Sequence, residues 1–329
     1  MNTLHKSFLA FFTTLLVLFS SCGGDPSDTS DTFKVALLTP GPVSDAGWNA
    51  GAYEGLHLIK AELGADISQV ETRTPAEFEQ GFRDYASNGY DLVFGHGFEF
   101  QDAAATVSQE FPETVFITTS GTTVRDNVAS IVFEIEQATY LLGMLSARQS
   151  ITGKIGAVGG LEIPSVKSSF DAFKAGAKAV NPDIRFVASY IGNWEDVGAA
   201  KEATLALIDQ GVDFILHNAD AAGLGVFQAA QERKSVFVFG SNKNQNEVAP
   251  DVILASAVLS IPNAMLAVAK EIEADTFNAD IRRLGMKEDV VYLAVNELLR
   301  DRINGEIWDE VEANRQKILT GELIVPKGF

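Results

Sequence analysis

The stretch KVALLTPGPVSDAGWNAGAYEG, Lys34 to Gly55, changes secondary-structure period partway along. Val35 to Leu38 form an unbroken apolar run, the pattern of a short strand buried on both faces rather than one. Pro40, Gly41 and Pro42 stop that run, and from Asn49 apolar positions recur at helical spacing. The stretch therefore reads as strand, loop, helix, the first half of a βαβ unit. Trp48 stands in the connection, where Gly, Pro, Ser and Asp are enough to make a turn. A large apolar side chain placed there needs something to cover it.

The same alternation recurs along the chain. Apolar runs appear at KVALLTP, DLVFGHG, TVFITTSG, ASIVFEI, KIGAVGG, IRFVASYIG, FILHNAD, VFVFGSN, VILASAV and VVYLAV. Segments with helical periodicity, such as AGAYEGLHLIKAEL and SSFDAFKAGAKAV, lie between most of them. This predicts an α/β protein with parallel sheets flanked by helices. Ten strands exceed the usual small doubly wound sheet, and ITGKIGAVGG (151–160) looks like a fresh first strand, so two similar lobes are expected. The helical stretch QATYLLGMLSARQS (137–150) closes the first series. The first lobe is expected to span 33–133 plus about 260–290, and the second 134–259 plus about 291–329.

Open parallel sheets bind ligands beyond the carboxyl ends of their strands, at helix N-termini. The residues there are Ser44, Asp45, Trp48 and Asn49 after the first run, and His96, Phe98, Phe100 and Asp102 after DLVFG. In the second half they are Asn193, Trp194 and Asp196, then Asp220, then Ser241, Asn242 and Asn244. Asp45, Asp102 and Asp196 read equally as helix N-caps. One of Phe98 and Phe100 is expected to face the cleft and the other to pack beneath the loop. Trp48 and Trp194 occupy corresponding positions in the two lobes, which suggests an aromatic on each side of a flat heterocycle.

The chain has 329 residues and a formal net charge of -19, from 44 acidic and 25 basic side chains, which argues against a nucleic-acid partner. There is no GxGxxG, P-loop or GxSxG, and the histidines His5, His57, His96 and His217 show no metal-ligand spacing. No enzyme activity, metal or cofactor is expected. At the N-terminus, Lys6 precedes FLAFFTTLLVLF (Phe8–Phe19), an apolar segment too short for a comfortable membrane span, and SSC follows. Residues 1–21 read as a signal peptide and 22–32, rich in Gly, Ser, Asp and Thr, as a flexible tether. Cys22, the one cysteine, stands where a bacterial lipobox places the lipidated residue, although Phe19 occupies the usual leucine position.

DAGWNAGAYEG, GYDLVFGHGFEFQDAA, GKIGAVGGLEIP, FKAGAKAVNPDI and LIDQGVDFILHNAD resemble the basic membrane protein family of substrate-binding lipoproteins, which includes purine nucleoside receptors of ABC importers. The resemblance runs from about Lys34 to Pro262. It implies the two-lobed periplasmic-binding-protein fold (type I) with a multi-crossing hinge, a small-molecule ligand (purine base, nucleoside or other flat heterocycle) and an ABC permease as partner. It also implies a lipid anchor to a bacterial membrane, on its periplasmic or extracellular face. The family's ligand-contacting positions fall on Trp48, Asn49, Asp102, Trp194, Ser241 and Asn242. Nucleoside-receptor members commonly have Asp where Asn242 stands, and Lys at the position aligned with Leu259. That difference removes an anion and a cation from the expected sugar end, and opens the reading to a free base. A ligand sensor signalling to a membrane partner, or a periplasmic nucleoside-acting enzyme, are the alternative readings.

Overall fold

The computed structural model describes residues 32–327. The signal segment, Cys22 and nearly all of the tether lie outside the described residues. The chain begins with β1 (Lys34–Thr39), α1 (Trp48–Leu63), β2 (Asp66–Glu71), α2 (Pro75–Ser87), β3 (Leu92–Gly95), α3 (Gln101–Val107), β4 (Val115–Thr119) and β5 (Val128–Phe133). There follow α4 (Glu136–Gln149), β6 (Lys154–Gly159), α5 (Pro164–Val180), β7 (Arg185–Tyr190), α6 (Val197–Asp209), β8 (Phe214–Asn218), α7 (Gly223–Arg233), β9 (Phe237–Asn242) and β10 (Ile253–Leu259). The last elements are α8 (Ile261–Glu273), β11 (Ile281–Leu284), β12 (Val291–Val295) and α9 (Gly305–Thr320).

Two six-stranded sheets result, ordered β11-β5-β4-β3-β1-β2 and β12-β10-β9-β8-β6-β7. Leaving aside β11 and β12, both follow the doubly wound order 2-1-3-4-5, with helices on both faces. In β1, Val35 and Leu37 face one apolar cluster while Ala36 and Leu38 face another containing Phe78, Phe82 and Phe116. Burial on both faces is why these strands carry no polar alternation.

All ten apolar runs form strands, but the structure adds two. β2 (DISQVE) and β11 (IRRL) are edge strands with one neighbour each and largely half-exposed or exposed side chains, so neither leaves an apolar run. The expected all-parallel arrangement also needs one correction, since β12 pairs antiparallel with β10. Trp48 is the first residue of α1 rather than a loop residue.

Helix ends follow local chemistry. Thr74 and Glu77 form a capping box ahead of α2 with Pro75 at its first position, Asp196 Oδ1 caps α6, and Asn304 Oδ1 caps α9. The chain crosses between sheets three times: from β5 into α4, from β10 into α8, and from β11 to β12. On either side of these crossings, α8 packs on α1 and α4 packs on α5 and α9.

The contact of α4 with α5 is a backbone-close crossing. A Cβ at Gly143 would stand 1.9 Å from the Phe173 carbonyl oxygen, and one at Gly176 would stand 1.9 Å from that of Tyr140. Neither helix has room to retreat, because α4 is buried along most of its length. Gly143→Ala and Gly176→Ala are each expected to destabilise the protein by about 2 kcal/mol or more in urea unfolding. Gly305→Ala, at a position with no atom within 4 Å, serves as control and is expected to be near neutral.

Candidate functional site

In each sheet the strand order reverses next to the first strand, between β1 and β3 and between β6 and β8, which leaves a crevice beyond their carboxyl ends. The two crevices face each other across one cavity of about 560 Å³, counted out to its mouth. Its wall is assembled from strand ends. The first lobe supplies Pro40, Trp48, Gly97 to Glu99, Ser120 and Phe133; the second supplies Ile163, Trp194, Asn218, Asp220, Asn242 and Leu259.

Trp48 is held from beneath. Its ring stacks on His96 at 4.0 Å between centroids and 22° between planes, and meets Phe133 edge-on at 5.9 Å. The Trp48 indole N–H donates to the His96 carbonyl oxygen (3.3 Å), and His96 Nε2 lies 3.0 Å from the Trp48 carbonyl oxygen. A carbonyl only accepts, so Nε2 carries the proton and Nδ1 accepts from the Thr119 hydroxyl at 3.1 Å. His96 is therefore a positioning residue that fixes the orientation of the tryptophan. Burial pushes its imidazole down to about 3, against the smaller opposing effect of the bond to Trp48.

On the opposite lobe, Trp194 rests against Gly160, where a Cβ would come within 2.1 Å of the indole ring. Its carbonyl oxygen accepts from Ala222 N–H at 2.9 Å. Nearby, Asn242 Nδ2 donates to Asn218 Oδ1 (3.4 Å), and Asn218 Nδ2 donates to Ser169 Oγ (3.4 Å). Ser120, Asp220 and Asn242 all line the cavity and all have left-handed backbone, with φ of 62°, 46° and 67°. Each such residue costs of order 1 kcal/mol or more, a strain that clusters at functional sites.

Three carboxyl groups line the same wall. Burial pushes Glu99 up; it pushes Glu136 up too, partly offset by Ser168 Oγ donating at 2.5 Å. Asp220 is held well above the usual carboxylate range by burial first, then by the charges of Asp45 and Glu99.

Of the residues predicted from sequence, Trp48, Phe98, Trp194, Asp220 and Asn242 come together on the cavity wall. Four others lie off it. Asp45 is buried, its Oδ1 accepting from Gly47 and Ala50 N–H and its Oδ2 from Asn49 N–H, so it closes the entry of α1. Asn49 is buried with its Oδ1 unpaired. Asp102 is exposed on the first turn of α3, and Ser241 is buried with its N–H on Gln245 Oε1 (2.9 Å). Phe100 is the core member of its pair, packed on Phe78 and Phe82. Sequence reasoning missed Glu99, Ser120, Glu136 and Asn218. Glu136 had a signal, as a carboxylate following the apolar run ASIVFEI at the head of an apolar helix.

Side chains also join the two lobes directly. Gln245 Nε2 donates to the Ala46 carbonyl oxygen (3.2 Å), while its Oε1 accepts from Ser241 N–H and His217 Nε2 (2.8 Å). Lys243 pairs with Glu54 (2.5 Å) and Arg73 with Glu195 (2.8 Å), each joining one lobe to the other.

The family model described as ABC transporter substrate-binding protein, PnrA-like, matches residues 32–328. Basic membrane protein A2 of Borrelia garinii subsp. bavariensis is 30% identical over 319 residues, covering 94% of this chain and 93% of that protein. Among solved structures, an ABC transporter solute-binding protein from Aeropyrum pernix superposes with a TM-score of 0.82 at 24% identity, covering 90% of this chain and 94% of that one. A second, from Conexibacter woesei, gives 0.72 at 27% identity, covering 91% and 100%. These solute-binding neighbours share the two-lobed periplasmic-binding-protein fold seen here.

Burial also pushes His217 down, to about 4. An unfolded chain takes up protons on both imidazoles near pH 6.5, before the folded protein does, so each weakens the fold as pH falls from there toward about 3–4. In an NMR titration, His96 and His217 are expected to keep neutral-imidazole shifts down to about pH 5. A midpoint above about 6 for either ring would contradict its burial in this arrangement.

Proposed function

Because the chain belongs to the family of PnrA-like ABC transporter substrate-binding proteins, we propose that it captures a purine base, a nucleoside or another flat heterocycle between its lobes and presents it to a permease. The observation that carries the heterocycle reading is the pair Trp48 and Trp194, one from each lobe, on the wall of a single cavity. Each is fixed by its own support, His96 beneath one and Gly160 beneath the other, so the ring surfaces are preorganised for a flat partner. Amide groups of Asn218 and Asn242 provide both donors and acceptors for a base edge.

Closure is part of the mechanism. Ligand enters an open cleft, contacts both walls, and favours the form in which Gln245, Lys243 and Arg73 reach across to the other lobe. A permease then distinguishes the closed form from the open one. A lipid on Cys22, with residues 23–32 as tether, would hold the receptor at the membrane surface where that permease lies. The reading assigns no catalytic step to any residue.

A thermal-shift screen against purine bases, nucleosides, sugars and amino acids tests the ligand class. Stabilisation by sugars or amino acids alone would sink the heterocycle assignment. Given a binding heterocycle, Trp48→Ala or Trp194→Ala is expected to weaken it about tenfold or more by calorimetry, taking stacking at roughly 1–3 kcal/mol per ring. Unchanged affinity in both variants would show that the rings do not hold the ligand.

A further inference from the structure

The cavity wall has an uneven charge inventory. It carries three carboxyl groups, Glu99, Glu136 and Asp220, and no lysine, arginine or histidine. Lys243 pairs with Glu54 and Arg73 with Glu195, while Lys327, paired with Glu134, is the cation whose charge reaches Glu136; neither Asp220 nor Glu99 has such a partner. Among the described residues, no three His, Cys, Asp or Glu side chains are placed to share a metal ion.

Asp220 is the most exacting of the three. It is 7% exposed, lines the cavity, and stands in left-handed backbone that aims it there at a conformational cost. Its carboxyl group has no hydrogen-bond partner among the described residues; only burial and the like charges of Asp45 and Glu99 act on it. A buried carboxylate in that position needs either a proton or a counter-charge. Asp45, by contrast, is satisfied by three backbone N–H groups, and Glu136 accepts from Ser168.

The aromatic part of the wall points the same way. Trp48, Phe98, Phe133 and Trp194 contribute four rings, whose faces carry negative electrostatic potential and attract cations. Rings and carboxyl groups together make a wall that disfavours anions, and a bound cation supplies the counter-charge that a proton on Asp220 otherwise replaces. A cation bearing N–H groups satisfies both.

We propose that the ligand is a planar organic cation, a heterocycle with positive charge on its ring or amino nitrogens, seated among the four rings with its charged N–H edge toward Asp220 and Glu99. This rests on the heterocycle reading above and narrows it by charge. Glu136, at the head of α4, adds a third acceptor from the hinge side.

The test compares ligands that differ in charge more than in shape. The probes are 1-methyladenosine, a cation at neutral pH, with its neutral isomer methylated on the exocyclic amine, and 1-methylnicotinamide with neutral nicotinamide. Calorimetry on the intact receptor is expected to show the cation at least about tenfold tighter in whichever pair binds. Asp220→Asn, isosteric and uncharged, is expected to reduce that preference to less than about threefold while leaving the thermal unfolding of the unliganded protein cooperative. Glu99→Gln, on the other lobe, gives an independent variant with the same expected direction. Neutral members binding as tightly as the cations, or a preference untouched by both variants, would overturn the charge assignment and leave the heterocycle reading standing. Failure of all four probes and of every purine, together with stabilisation by a sugar or amino acid, would overturn both.

Discussion

The reversal of strand order beside β1 and beside β6 leaves the carboxyl ends of these strands without a helix over them. The cavity opens there, and polar residues from these and neighbouring strand ends gather around it. Backbone groups inside each sheet are consumed by ladder bonds, so free donors and acceptors accumulate only where strands end and helices begin. The same constraint explains why the wall is built from single residues contributed by many strands, and why several of them sit in left-handed backbone. A chain leaving a buried strand into a tight turn has few other ways to present a side chain forward.

The two lobes are in contact across the cavity. Gln245 is the most informative of the cross-lobe contacts, because it satisfies Ser241, His217 and Ala46 at once, and only the last belongs to the other lobe. Opening costs it one hydrogen bond and leaves the rest in place. The ion pairs Lys243–Glu54 and Arg73–Glu195 are solvent-exposed and screened, so they guide the approach of the lobes without holding them shut. On the proposed reading, ligand contacts on both walls supply the free energy that favours the closed form.

Much of this was legible in the sequence. Central strands announce themselves as apolar runs because both of their faces are buried, and the repeated pattern after Lys154 implied a second lobe. The two strands that escaped notice, Asp66–Glu71 and Ile281–Leu284, are edges, where one side of the ladder meets solvent and polar residues are tolerated. Site residues divide in the same way. Trp48 and Trp194 stood out because large apolar side chains at strand ends have no local reason to be there. Asp45 could not be told apart from a cap, since a carboxylate ahead of a helix serves backbone and ligand with the same oxygens, and Asp102 lies one residue inside α3, exposed and without a capping bond. Glu99 was hidden for a different reason, because its position on the cavity wall depends on how the two lobes meet, whereas Glu136 left a signal at the head of α4 that went unread.

The three passages of the chain between lobes carry a mechanical consequence. A single linker would let the lobes swivel freely, whereas three connecting segments restrain torsion and shear between them. Each cycle of opening then returns the Trp48 wall to the Trp194 wall in the same alignment. For a protein built this way, the separation of its lobes reduces to a one-dimensional coordinate: the width of the gap.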